Sequence, residues 1–177
     1  MAETFPEVWR ELFVMIGGSA ASLVGLLFIV MSMHFNAFRE HLDYKMSATI
    51  QAARNNTFHL LTAFVTAVVV LLPQPPVLLG GELIAMHLFG LRLPVFFTWR
   101  HFITNHGGFP VSMIVTITTG YLLGVAGGAA LIVHSPAGPY LVAASCTVIL
   151  VRSVLTAWIL MFESRQAAPG SEFREGT

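Results

Sequence analysis

Apolar residues fill this chain in long stretches, broken only by short polar or proline-rich segments. A helix needs about 20 apolar residues to cross a hydrocarbon core, and that ruler divides the sequence into five predicted spans near 12–34, 56–73, 77–97, 110–133 and 139–162. The second and third would be one run without Pro73, Gln74, Pro75 and Pro76. Prolines withhold backbone donors and clash with the preceding turn, so they end one helix and start an antiparallel partner. The stretch from His134 to Pro139, "HSPAGP", separates the last two spans in the same way. The predicted fold class is therefore all-α, a polytopic transmembrane helical bundle of about five spans. It forms one domain over 1–165, with 166–177 as a tail.

Between the first two spans the pattern changes. Phe35, Phe38, Leu42, Met46, Ile50 and Ala53 recur at helical spacing, with Arg39, Glu40, Asp43 and Lys45 between them. This predicts a cytoplasmic helical hairpin over 35–55 that prolongs both spans and acts as an interfacial connector. The aromatic segment "VFFTWRHF" after Pro94 is expected along the inner interface, with a kink where that proline stands.

Composition agrees with the pattern. Of 177 residues, 55% are hydrophobic and 10% charged, with a mean hydropathy of +0.75, far from the soluble globular class. The formal net charge is zero, which leaves no basic field for nucleic acid, so the basic residues matter by position. Arg39, Lys45, Arg54, Arg100 and Arg165 fall on one side of the predicted spans and Arg10 on the other. The positive-inside rule then places the N-terminus outside and the C-terminus in the cytoplasm. Trp9, Trp99 and Tyr140 fall near interfaces, where amphipathic rings settle. The first residues include acids and no basic leader, so the first span itself is expected to direct insertion, and "GSEFREGT" reads as partly vector-derived. Cys146 is the single cysteine, so one chain builds neither a disulfide nor a cysteine-based zinc site, and packing is its expected role.

Small residues form ladders. Gly120, Gly124 and Gly128 stand four apart in the fourth span, and Gly17, Ala21 and Gly25 repeat the arrangement in the first, beside Gly18 and Ser22. Lipid supplies little hydrophobic force between helices, so such faces favour close backbone approach. They predict tight helix packing of the glycine-zipper kind, within one protomer or between copies. "TTGYL" at Thr118 to Leu122 echoes a potassium filter, but a filter needs extended backbone in a re-entrant loop. Here it sits inside a helix-length span.

Polar residues align as well. Asn55, His59, Thr62 and Thr66 share a face of the second span, Ser112, Thr116 and Thr119 a face of the fourth, and Ser145, Arg152, Thr156 and Glu163 a face of the fifth. Arg152 is the costly member, since an arginine at a helix centre costs about 2.5–3.5 kcal/mol on the insertion scale. It either snorkels to the inner headgroups or faces a hydrated, hydrogen-bonded interior. Glu82, the acidic residue deepest in a span, lies roughly 12 Å further out at a helical rise of 1.5 Å per residue, and Arg92 lies near the level of Arg152. An anion, a lipid headgroup or water is then the natural partner.

Seven histidines raise the question of a metal. No i, i+4 ligand pair and no HExxH motif occurs, and most fall at predicted interfaces: His34, His59, His101 and His106 at the inner one, His41 in the loop, His134 outside, with His87 in mid-span. No metal and no cofactor is predicted. Nucleophile elbow, nucleotide loops and paired intramembrane carboxylates are all missing, so the chain is not read as an enzyme. Nor is there a duplicated half of the kind that inverted-repeat transporters carry.

The segments "GGSAASLVGLLFIVMS" in the first span, "GELI" in the third and "AWILMFE" closing the fifth resemble a group of small bacterial five-helix integral membrane proteins of unassigned function. The resemblance implies a multi-pass protein of the bacterial cytoplasmic (inner) membrane and implies no mechanism. From the residues, the leading expectation is a homo-oligomeric ion channel or permeation protein, its partners being the bilayer, other copies of the chain and inorganic ions. The polar stripes line a narrow pathway and Arg152 stands near its inner constriction. The other expectation is a non-catalytic membrane-embedded regulatory or assembly subunit, with the stripes joining helices.

Overall fold

A computed structural model describes residues 7–33, 44–104 and 111–166. They form five helices, α1 (Glu7–Met33), α2 (Tyr44–Leu71), α3 (Pro76–Thr104), α4 (Val111–Ile132) and α5 (Ala137–Gln166), with no strand among the described residues. α1, α4 and α5 contain stretches long and apolar enough to cross a membrane, at Trp9–Ile29, Ile114–Ile132 and Ala137–Ile159. α2 and α3 are as long, with 28 and 29 residues, but polar groups such as Asn55, Asn56, His59, Glu82, His87 and Arg92 interrupt them.

Both predicted turns are present. α2 closes at Leu71, and Gln74 ties the linker down by donating from Nε2 to the Val69 carbonyl (3.2 Å) and to Glu82 Oε2 (3.0 Å). Pro76 then begins α3, a position where its missing N–H costs nothing and its fixed φ suits a helix. At the other turn, His134 takes a left-handed φ of 55°. Ser135 N reaches back to the Ala130 carbonyl at 2.8 Å, the six-to-one bond that closes a helix C-terminus.

The helix boundaries differ from the hydropathy spans at one place. α2 starts at Tyr44, not near 56, because Met46, Ile50 and Ala53 continue the helical period of the span itself. The rest of the expected 35–55 hairpin, with His34 and His41, lies outside the described residues, as do His106 and the tail. α3 is assigned as one helix through Pro94.

α2, α3, α4 and α5 close a ring in which each packs on the next, most extensively α3 on α4 and α4 on α5; α1 lies in the outer groove between α2 and α5. Their shared core is stacked along the bundle. Near the two turns it contains Phe13, Ile16, Ala67, Val70, Leu79, Leu83, Val142 and Cys146. Midway it contains Ala20, Ala63, Ile117, Tyr121 and Ile149, and beyond that Ala52 and Ala53. Trp9 meets Tyr140 edge to face at 4.7 Å, which puts the first turn of α1 beside the first turn of α5.

Glycine sets the spacing of the ring, though not as one continuous zipper. Gly80 and Gly128 bring the backbones of α3 and α4 together: a Cβ on Gly80 would lie 2.5 Å from the Gly128 carbonyl oxygen. Gly120 faces Val148 and Ile149 of α5, and Gly124 faces a side chain of α3. On α1, Gly17 touches Ala67 of α2, whereas Gly25 meets nothing within 4 Å and Ala21 is exposed.

Candidate functional site at the centre of the bundle

Three aromatic polar groups occupy the same level of the ring. His59 lies twelve residues before the end of α2, His87 eleven after the start of α3 and Tyr121 eleven before the end of α4. Each is therefore about 16–18 Å of helix from the turn end at 1.5 Å per residue. They form a belt across the bundle. Ring centroids are 5.6 Å apart for His59 and Tyr121 and 6.1 Å for His87 and Tyr121.

Tyr121 is the hub and is fully buried. Its ring lies over Gly90 of α3, where any Cβ would overlap it. Burying a phenol in an apolar bundle requires a partner for its hydroxyl, and that partner is His59 Nδ1 at 2.7 Å, with the Thr62 side chain beside it. α2 and α4 are thereby joined across a ring in which neither is the other's sequence neighbour.

His87 is also fully buried. A carbonyl can only accept, so the 2.8 Å contact of Nδ1 with the Leu83 carbonyl places a proton on Nδ1. A neutral imidazole then presents a lone pair at Nε2, 3.3 Å from Ser145 Oγ. Ser145 has one hydroxyl proton and directs it to the Gly120 carbonyl at 2.7 Å. This set of groups has room for one more proton than its neutral members carry.

Towards the far end of the bundle, α2 and α5 form a polar groove. Asn56 Nδ2 donates to the Ser153 carbonyl at 3.1 Å. One turn further along α2, His59 lies within electrostatic reach of Arg152. Arg152 is half-buried, and its Nε and Nη2 are both enclosed without a hydrogen-bond partner, as is Ser153 Oγ. Each such orphan donor costs about 1–3 kcal/mol, more when charged. Glu82 does not relieve it: that carboxylate is exposed near the turns and accepts from Gln74. Arg92 is exposed on α3.

The expected pathway residues do not share one surface. Thr62, Thr66, Ser145 and Thr156 are buried between helices, Asn55, His59 and Arg152 are half-buried, and Ser112, Thr116 and Thr119 are exposed on the outside of α4. Thr62, Thr66, Thr116, Thr119 and Thr156 all return their hydroxyls to the carbonyl four residues earlier, the habit that lets a threonine sit in an apolar helix. Thr66 also meets the Cys146 thiol.

Sequence reading passed over Asn56, Tyr121 and Ser153 and left His87 as an isolated mid-span histidine. Positions 55, 59, 62 and 66 fit a helical face, which points to Asn55. The series 56, 59, 63 and 66 fits as well, and Asn56 is the buried one. The signal for Tyr121 is a phenol between Gly120 and Gly124, in the stretch of α4 where the hydroxyl residues give way to apolar ones.

No group of three or more potential metal ligands occurs among the described residues. Comparison with protein-family models, curated proteins and solved structures finds no match to this chain.

Proposed function

We propose that the chain is an ion-permeation protein of the bacterial cytoplasmic membrane, acting as an assembly of identical copies with all five helices crossing the bilayer. The observation that carries this reading is Arg152: a guanidinium with two enclosed, unpaired nitrogens, within electrostatic reach of His59 across the α2–α5 contact. A charge so costly in hydrocarbon points to an ionic or hydrated partner. The protomer's own centre is filled by Tyr121 and His87, which favours a pathway between copies. On α4, the exposed hydroxyls of Ser112, Thr116 and Thr119 offer a polar wall for it.

Flux into liposomes tests the reading. Purified protein is expected to pass ions of one sign, and Arg152→Ala to change that conductance. If neither cations nor anions pass, or if Arg152→Ala leaves every conductance unchanged, the reading fails.

A second reading, a membrane-embedded regulatory or assembly subunit, draws on the bonds that cross between helices: Asn56 to Ser153, His59 to Tyr121, and Ser145 to Gly120. Such bonds contribute about 0.6–1.7 kcal/mol each in membrane proteins, enough to hold a scaffold. Cross-linking in native membranes separates the two, since a scaffold of this kind is recovered with a different protein and a self-assembling permeation protein with itself.

A further inference from the structure

The geometry points to an oxyanion site at Arg152, in the groove between α2 and α5, that takes a phosphate-type group. This deepens the ion-permeation reading and rests on it for its biological use, though binding is measurable without flux.

The unpaired atoms are specific. Nε and Nη2 carry the two N–H bonds that run parallel along one edge of a guanidinium, the fork that matches two oxygens of a phosphate or carboxylate. In Arg152 both are without a partner, so what stands unused is a whole bidentate edge. Internal acceptors do not meet it: Glu82 is bound to Gln74 near the turns, and Glu11 lies in the first turns of α1. Nε and Nη2 have no hydrogen-bond partner, and an external oxyanion offers the two oxygens that match them.

The groove also selects for negative charge and gives access. His59 Nδ1 is held by Tyr121 Oη at 2.7 Å, and when that hydroxyl donates, the imidazole proton resides on Nε2, a second donor on a residue within electrostatic reach of Arg152. Asn56 and Ser153 are buried and form the floor, whereas His59 and Arg152 are half-buried and border the less enclosed side. The Nε and Nη2 edge is enclosed, so binding an outside oxyanion requires the long arginine side chain to turn its fork toward that side. Arg152 stands seven residues before Ile159, the end of the apolar stretch of α5, or about 10 Å of helix. A snorkelling arginine covers much of that depth, so the phosphate of a lipid headgroup and a free phosphate ion are both within reach.

Thermal unfolding of the detergent-purified full chain tests the site in two arms at matched ionic strength. One arm titrates inorganic phosphate against chloride; the other adds phosphatidylglycerol against a phosphate-free glycolipid. The wild type is expected to gain several degrees in at least one arm, Arg152→Gln to lose that gain, and Arg152→Lys, a point charge without a fork, to keep less than half of it. A gain confined to phosphate identifies a soluble anion, and one confined to phosphatidylglycerol a headgroup. No gain in either arm, or a gain that survives in Arg152→Gln, overturns the site. Should Arg152→Gln not fold, native mass spectrometry of the wild type decides, because retained phosphate or phospholipid adducts support the site and their absence removes it. Binding without liposome flux removes the permeation reading alone, and flux without phosphate or phosphatidylglycerol binding removes the site alone.

Discussion

The imidazole of His87 stands directly over Gly124, so that a methyl group at position 124 would overlap the ring atoms Cδ2, Nε2 and Cγ. Gly90 makes the corresponding space for the ring of Tyr121. Two glycines on facing helices thus serve as sockets for two buried polar rings. Gly124→Ala and Gly90→Ala are each expected to destabilise the bundle by about 1–3 kcal/mol through overpacking. Gly18 and Gly25 meet nothing within 4 Å, so alanine at either is expected to be neutral or to stabilise by up to about 1 kcal/mol through helix propensity. Equilibrium unfolding in mixed micelles compares the four, and equal losses at all of them would contradict the socket assignment.

The bond between His59 Nδ1 and Tyr121 Oη, at 2.7 Å, invites a double-mutant cycle. Tyr121→Phe keeps the ring in its socket and removes the partner of Nδ1, while His59→Phe removes the other half. A coupling of about 0.6–1.7 kcal/mol is expected, in the range measured for interhelical hydrogen bonds in bilayers. Strict additivity of the two substitutions would mean that the pair contributes nothing beyond its separate members.

Much of this architecture was legible because its causes are local. The proline turn at Pro73 to Pro76 and the turn at His134 to Pro139 follow from backbone chemistry that any sequence window reveals, and the helices between them follow from apolar length. The site was legible only in part. Helical periodicity places Asn55, His59, Thr62 and Thr66 on one face and Ser145, Arg152 and Thr156 on another as walls of a pathway, and it gives equal standing to Ser112, Thr116 and Thr119, which are exposed. Arg152 stands out through its cost. Which polar groups meet is set by ring closure of α2 through α5, a tertiary fact without a one-dimensional signature. Tyr121 bonds His59 from 62 residues away, and the glycines read as a ladder turn out to meet a backbone, an imidazole and two aliphatic side chains. A second span that starts near 56 puts His59 at an interface; counted from the turn, twelve residues before Leu71, it shares the level of His87, eleven after Pro76.

Orientation is open to direct chemistry. In a Cys146→Ser background, single cysteines at Gln74 and Ser135 mark the two turns, which the antiparallel order of the helices puts at the same end of the bundle. The charge distribution predicts that an impermeant maleimide labels both from outside intact cells, and labels a cysteine at Lys45 only after permeabilisation. Labelling of Gln74→Cys and Ser135→Cys from opposite sides would show that α3 and α4 do not both cross. Cys146 itself, fully buried, is expected to stay unmodified in the folded protein.

Arg152 should trade stability for function. In the absence of an anion its Nε and Nη2 are enclosed and unpaired, so the folded bundle bears a desolvation penalty without a compensating bond. Methionine has similar length and carries no charge, and replacing even a paired buried ion by a well-packed apolar side chain is often neutral or stabilising by about 1–4 kcal/mol. Arg152→Met is therefore expected to unfold at higher temperature than the wild type in phosphate-free detergent while abolishing ion flux. Added phosphate should narrow the difference by stabilising only the arginine form. A destabilised Arg152→Met would mean that the guanidinium already has a strong partner in the folded protein, and the account of the groove as an unfilled anion site would have to be abandoned.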